Sequence, residues 1–350
     1  MAAHQPSLRN QANQNRMEDK FKKITERVRA FIGGEGGDFD ELSHDLFALQ
    51  YEHVEPYRHL CESRRVTPQN VGPIPAIPTT AFKDFEITSL PPSDRPTIFH
   101  SSGTSEQTPS RHFHNADSMA LYEESLLTTF RQNLTPTPHT LSLTPSPECA
   151  PHSSLAHMMF CIQEKPAFTG TIEDGAWTVN TALSFQKLQD LKTPVTLLGT
   201  AFSFVHLCDA IEPIKLPPGS LIMETGGYKG RSRQLPKPEL HSLISTTLDV
   251  PRENIRCEYG MCEISSQAYA MSNGQFHFPH WARARVVSPE TARQVSIGEP
   301  GLLEIVDLAN VRSVLAVRTA DLAVRHEEGF ELIGRATHAE PRGCSLTAAR

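Results

Sequence analysis

The chain lacks the signatures of several large protein classes. No G-x-x-x-x-G-K-[ST] pattern occurs in its 350 residues, which excludes a Walker-type phosphate loop. No C-x-x-C pair occurs either, so cysteine spacing suggests neither zinc nor a redox pair. The seven cysteines (Cys61, Cys149, Cys161, Cys208, Cys257, Cys262 and Cys344) are an odd number without a spaced framework, which fits free thiols in a reducing cytoplasm. No apolar run approaches the ~20 residues of a membrane span. The opening MAAHQPSLRNQANQNR has no apolar core of the kind a secretory signal requires. Positive charge is short as well. Lys and Arg number 33 against 40 Asp and Glu, and the net charge of -7 argues against a nucleic-acid partner. There is no internal repeat. What remains, 38% hydrophobic and 21% charged, is the composition of an ordinary globular protein, large enough for one big α/β domain or two smaller ones.

Residues 1–16 read as a polar, disordered leader. Phe21, Ile24, Val28 and Ile32 recur at helical spacing and predict a helix over Met17–Ile32, ended by the glycines from Gly33 to Gly37. Phe39, Leu42, Leu46 and Leu49 predict a second, giving a helical region over 17–70. Pro73, Pro75 and Pro78 enforce an extended segment. Asn115 or Asp117 can cap a helix reaching about Phe130. Strands are then predicted at Thr140–Thr144, Val195–Leu198, Ser220–Glu224 and Asn254–Glu258. They alternate with helices at Ser153–Gln163, Phe202–Ile211, Pro238–Leu248 and Cys262–Met271. This alternation predicts an α/β core over 71–297, a largely parallel sheet flanked by helices. From Gly298, short β-like runs at Leu302–Val306, Ser313–Val317 and Gly329–Ile333 predict a small antiparallel subdomain with a C-terminal arm, over 298–350.

Sites in parallel sheets lie at the carboxyl ends of strands. The turns Gly199-Thr200, Gly226-Gly227 and Tyr259-Gly260 all fall there. The densest chemical signal precedes them: Ser101-Ser102-Gly103-Thr104-Ser105, four hydroxyls and a glycine directly after the run Thr97-Ile98-Phe99. Hydroxyls and freed N–H groups in a tight loop make a concave donor surface that suits phosphate oxygens; the plain alternative is a solvated loop. Three further patterns follow in order: Glu224-Thr225-Gly226-Gly227-Tyr228-Lys229-Gly230-Arg231, then Glu258-Tyr259-Gly260-Met261-Cys262-Glu263, then Thr319-Ala320-Asp321-Leu322 with Gly334-Arg335. Each alone has an ordinary structural reading, as a turn, a strand end or a surface cluster.

Taken together, the four patterns resemble those of the adenylate-forming enzymes, the acyl-CoA synthetase and luciferase superfamily. Within it, Leu198–His206, Met223–Arg231 and Gly334–Leu346 resemble the acyl-protein synthetase family of bacterial fatty-acid reductase systems. The resemblance spans roughly Val71 to the C-terminus. It implies an ATP- and Mg²⁺-dependent ligase that activates a fatty or other carboxylic acid as its acyl-adenylate and passes the acyl group to a protein thiol. It implies that Ser101, Ser102, Gly103, Thr104 and Ser105 hold ATP phosphates, and that Tyr259, beside Gly260, stacks on adenine. Gly226 and Gly227 would let backbone approach the nucleotide, Asp321 would accept the ribose hydroxyls, and Arg335 would contact ribose or phosphate. Glu263 would bind the Mg²⁺, which favours carboxylate and phosphate oxygens. Cys344 would carry the acyl group and deliver it to a partner reductase or other acceptor protein. His206 falls where relatives place acyl-pocket residues, and His100 could donate to a phosphate. Phe202, Phe204, Met158, Met159 and Phe160 could line an acyl channel or could simply be core.

This sequence departs from the pattern at four points. Glu106 stands where many members have glycine, Ser110 where lysine is frequent, Cys262 in place of threonine, and Ala320 in place of glycine. Arg111 could replace the missing lysine charge. The chain ends at Arg350, shortly after Gly334-Arg335, so the usual C-terminal domain with its steering lysine is expected to be absent, as in that family. Two other readings stay open: an acyl-CoA synthetase resembling phenylacetate-CoA ligases, and a non-catalytic nucleotide-binding partner subunit.

Overall fold

The computed structural model describes residues 8–101, 108–163, 166–228, 232–270 and 273–336. The leading helix spans Leu8–Ile32, so residues from Leu8 onward, read from sequence as leader, are helical. It stops where the glycine run begins. The second helix, Phe39–His53, starts at Asp38, whose carboxylate accepts from the Glu41 N–H at 2.8 Å. Asn115 caps Ala116–Asn133 through a reciprocal pair: its side chain accepts from the Ser118 N–H, and the Ser118 hydroxyl accepts from its own N–H, both at 3.0 Å.

The predicted strands form at His139–Ser142, Val195–Thr200, Leu221–Thr225 and Ile255–Tyr259, all parallel and adjacent. The helices Ala201–Ala210 and Lys237–Leu248 make the crossovers. Every residue of Val195–Thr200 is buried, because helices cover both faces of the sheet. Side chains alternate between two cores. Leu197 and Ile222 pack with Phe204, Leu240 and Ile244, whereas Leu198 and Met223 pack with Phe99, Tyr122, Met158 and Met159. The carboxyl ends of these strands all lie on one edge of the sheet.

The expected helix Cys262–Met271 does not form. A turn and the strand Ala268–Ala270 stand there, pairing antiparallel with Ile255–Tyr259. Long-range capture of the turn's backbone overrides local propensity: Asp307 Oδ2 accepts the N–H groups of Ser265 and Ser266, each at 2.8 Å. From Ala268–Ala270 the sheet continues without a break through Phe276–His277, Gly329–Arg335, Ala316–His326, Pro300–Asp307 and Ala282–Val287, all antiparallel. The antiparallel part therefore begins well before Gly298 and is continuous with the parallel part, twelve strands in one sheet among the described residues. The extended segment predicted from the prolines adds the short strand Ile77–Pro78 beside Val317 and Arg318.

The N-terminal helices do not pack apart from this sheet. Phe21, Val28, Leu46 and Phe47 share a core with Val286, Leu303, Ile305 and Val317. No helix among the described residues is long and apolar enough to cross a membrane.

Candidate functional site

A two-stranded hairpin, Thr97–His100 with Arg111–His114, carries the hydroxyl-rich loop. Its last rungs are made by two serines: the Ser101 N–H donates to the Ser110 carbonyl at 3.1 Å, and the Ser110 N–H to the Ser101 hydroxyl at 2.9 Å. Ser102, Gly103, Thr104, Ser105 and Glu106 lie outside the described residues, as do Lys229, Arg231 and Cys344.

The hairpin base touches the turn that follows Ile255–Tyr259. Cys262 Sγ lies 3.9 Å from the Phe99 carbonyl and 4.0 Å from that of Ser110. The buried His112 ring meets the Cys262 carbonyl through Nδ1 at 2.6 Å. The Ser110 hydroxyl bonds the Glu263 carboxylate, which is 5% exposed. Burial raises the Glu263 pKa, and Ser110 opposes this only in part. Ser110, which replaces a lysine of the family pattern, is therefore a buried partner of Glu263 rather than a solvent-facing loss of charge.

Asp321 and Arg335, paired across the hairpin of Ala316–His326 and Gly329–Arg335, complete the group. The Tyr259 hydroxyl donates to Asp321 Oδ2 at 2.8 Å and Arg335 Nε to Asp321 Oδ1 at 2.9 Å. Each carboxylate oxygen keeps a lone pair, so Asp321 can still accept from a vicinal diol. Burial and Asp321 push the Tyr259 phenol well above its ordinary pKa, so it stays a neutral donor. Its ring packs edge-on against Phe276, Phe278 and Phe330. Ala320 sits in a strand and is not among the positive-φ residues, so its replacement of glycine is without backbone cost.

At the next two strand ends lie carboxylates that the motif reading passes over. Glu258 is buried and accepts from the Thr225 hydroxyl. Burial, with Glu224 adding, raises its pKa to about 7. Glu224 is fully buried, yet its pKa falls to about 2. Burial alone would raise it, but Lys237 at 2.6 Å and His241 at 3.1 Å outweigh that. The only local signal for Glu258 is that it precedes Tyr259. It also explains Gly260: a Cβ there would lie 2.6 Å from Glu258 Oε1. Gly226 adopts φ +67°, which favours glycine, and both Gly226 and Gly227 face open space.

The structure thus brings Ser101, Tyr259, Gly260, Glu263, Asp321 and Arg335 to one edge of the sheet, and Gly226-Gly227 ends a strand at that edge. The remaining candidates have partners of their own. His206 is on the exposed face of Ala201–Ala210, with its ring 6.1 Å from Phe202. His100 stacks on His152 at 4.6 Å. Arg111 pairs with Glu86 at 3.7 Å. A single acyl channel lined by Met158, Met159 and Phe204 does not exist, because they occupy cores on opposite faces of the sheet; Phe160 is 47% exposed.

Two curated relatives bear the name long-chain-fatty-acid–luciferin-component ligase. The protein from Aliivibrio fischeri is 22% identical over 344 residues, covering 89% of this chain and 87% of its own. The protein from Vibrio harveyi is 23% identical over 329 residues, covering 87% and 86%. Among solved structures, 2-hydroxyisobutyryl-CoA ligase in the postadenylation state with 2-HIB-AMP superposes with a TM-score of 0.64. It is 14% identical and covers 90% of this chain and 67% of that one, a likeness of fold. The family model described as acyl-protein synthetase, LuxE, matches residues 39–350. The chain belongs to the LuxE acyl-protein synthetase family of ligases.

Proposed function

We propose that this chain uses ATP to activate a carboxylic acid of the fatty-acid class and then transfers the acyl group to a protein thiol. The curated relatives are named for a long-chain fatty acid and a luciferin component, which supports a fatty acid as substrate and a protein as final acceptor. The carrying observation is the convergence of Asp321, Tyr259, Arg335 and Glu263 on the base of the Ser101 hairpin. Asp321 offers acceptors for a ribose diol, Arg335 a cation beside it, and the Tyr259 ring a face for adenine. Loop N–H and hydroxyl groups beyond Ser101 would hold the phosphates.

In the first step a carboxylate oxygen of the acid attacks the α-phosphorus, the bond to the β-phosphate breaks, and pyrophosphate leaves. Charge building on the phosphates is met by Arg335 and by the loop donors. Glu263 fits a Mg²⁺ ligand, since its buried carboxylate makes no ion pair among the described residues: the Ser110 hydroxyl and its own N–H bond it, and the Arg335 charge acts on it only weakly. When bound, Mg²⁺ supplies further neutralisation of the phosphate oxygens. In the second step the Cys344 thiolate attacks the acyl carbonyl, AMP leaves with the bonding oxygen, and a thioester remains for the partner protein.

The test is exchange of labelled pyrophosphate into ATP over a panel of carboxylic acids. Exchange with fatty acids supports the reading; no exchange with any acid overturns it. Cys344→Ser is expected to keep exchange and lose covalent acyl labelling. Labelling that survives moves the carrier to another thiol. Consumption of the adenylate by free CoA instead replaces the protein acceptor with a diffusible one.

A further inference from the structure

We propose that Glu123, His157 and Cys161 form a binding site for a transition-metal cation of the zinc class, on the helix pair that backs the hairpin of the nucleotide loop. His157 and Cys161 are four residues apart on the helix Ser154–Cys161, so both side chains fall on one face. Glu123 comes from the facing helix Ala116–Asn133. One ligand atom from each residue lies within 4.8 Å of the other two, and His157 Nε2 is 2.9 Å from the Glu123 carboxylate.

The donor set is one nitrogen, one oxygen and one sulfur. That mixture selects zinc-like ions over Mg²⁺ or Ca²⁺, which take oxygen alone. Zinc bonds of about 2.0–2.3 Å in a tetrahedron bring ligand atoms to roughly 3.5 Å of each other, so side-chain adjustments of about 1 Å close the site. All three residues are partly buried, neither sealed in the core nor fully exposed, and a set of three protein ligands is one short of the four a tetrahedral ion takes, so water would be the fourth. Glu123 and His157 alone make a two-residue contact; Cys161, which also packs against the adjacent core, brings a third ligand atom to the same point.

The surroundings say what such an ion would do. The His157 ring packs against Phe99 at 5.5 Å and Tyr122 at 6.1 Å. Just before the helix, His152 Nδ1 meets the Ile98 carbonyl at 2.9 Å, and the His100 N–H donates to the His152 carbonyl at 2.8 Å. An ion joining Ser154–Cys161 to Ala116–Asn133 would clamp the segment that holds the strand leading into Ser101. Its role is positional. The absence of any C-x-x-C spacing is no obstacle, because the ligands come from two helices distant in sequence.

The experiment uses the full chain, stripped with a chelator and titrated with Co²⁺ and then Zn²⁺. One Co²⁺ per chain with a thiolate charge-transfer band, displaced by Zn²⁺, is expected. Cys161→Ser and Cys161→Ala should abolish the band. They, with His157→Gln and Glu123→Gln, should weaken Zn²⁺ binding by more than about 100-fold, since even outer-shell losses cost 10–100-fold. Each variant is checked for an unchanged circular-dichroism spectrum and melting temperature without metal, and Cys149→Ser, at an exposed thiol, should bind as the parent does. A band that survives loss of Cys161, a band that follows another cysteine, or Zn²⁺ binding only at millimolar concentration would each overturn the proposal. None of these readouts depends on ligase activity.

Discussion

Three buried glutamates crowd the carboxyl edge of the sheet, and their environments drive them apart. Glu224 is held down at about 2 despite its burial, because Lys237 and His241 reach it. Glu258 is raised to about 7 by burial with one hydroxyl partner, and Glu263 is raised as well. The sign for stability follows. Between its unfolded pKa near 4.5 and about 7, Glu258 binds more proton in the folded state, so stability falls as pH rises through that window. The effect is at most about 3 kcal/mol. Glu258→Gln should flatten denaturant-measured stability across pH 4.5–7, and an unchanged slope there would assign the titration elsewhere. Glu224 acts in the opposite sense and in a different window, its contribution being lost as pH falls from 4.5 toward 2. Tyr259, Asp321 and Arg335 were singled out by a spacing that matches a family pattern, and the structure puts their side chains in contact. The protonation of Glu258 was not legible, because it arises first from burial in the packed sheet and then from Glu224 on the neighbouring strand, 34 positions away in sequence, with the Thr225 hydroxyl opposing it.

At the scale of elements, the parallel strands and their helices were readable from periodicity and capping, Asn115 included. The misread element was Cys262–Met271. Asp307 decides it, accepting the Ser265 and Ser266 N–H groups through Oδ2, and the Ser266 hydroxyl and Ala309 N–H through Oδ1. Asn310 adds a donor to the Glu263 carbonyl at 3.0 Å. These bonds satisfy backbone groups that a helix would otherwise pair internally, and they aim Glu263 toward Ser110. Asp307→Asn keeps the volume but sets an amide donor against one pair of these donors. It should cost about 2–4 kcal/mol in denaturant unfolding, and any surviving fold should show weaker ATP binding. A loss below about 0.5 kcal/mol would mean the turn stands without Asp307.

For the molecule as a whole, Gln50 is the decisive tie. Fully buried in the second helix, it donates to the Asn310 and Val311 carbonyls at 2.9 and 3.0 Å and accepts the Leu315 N–H at 2.8 Å. With the core shared by Phe21, Phe47 and Val317, this joins the N-terminal helices to the C-terminal strands. Gln50→Leu leaves three buried backbone groups unpaired and should lower stability by about 3 kcal/mol or more. The change should appear in a single transition seen alike by far-ultraviolet circular dichroism and tryptophan fluorescence. Two separated transitions would show that the helical region folds by itself. What the amino-acid order settled alone was local or periodic: which stretches alternate as strand and helix, where the hydroxyl loop lies, and which family pattern the spacing matches. Where the antiparallel strands begin, whether the N-terminal helices stand apart, and which proton each glutamate keeps depend on groups far apart in the chain. Tertiary structure decided these, because burial and hydrogen-bond partnership are properties of the packed neighbourhood, and no short window of sequence contains that neighbourhood.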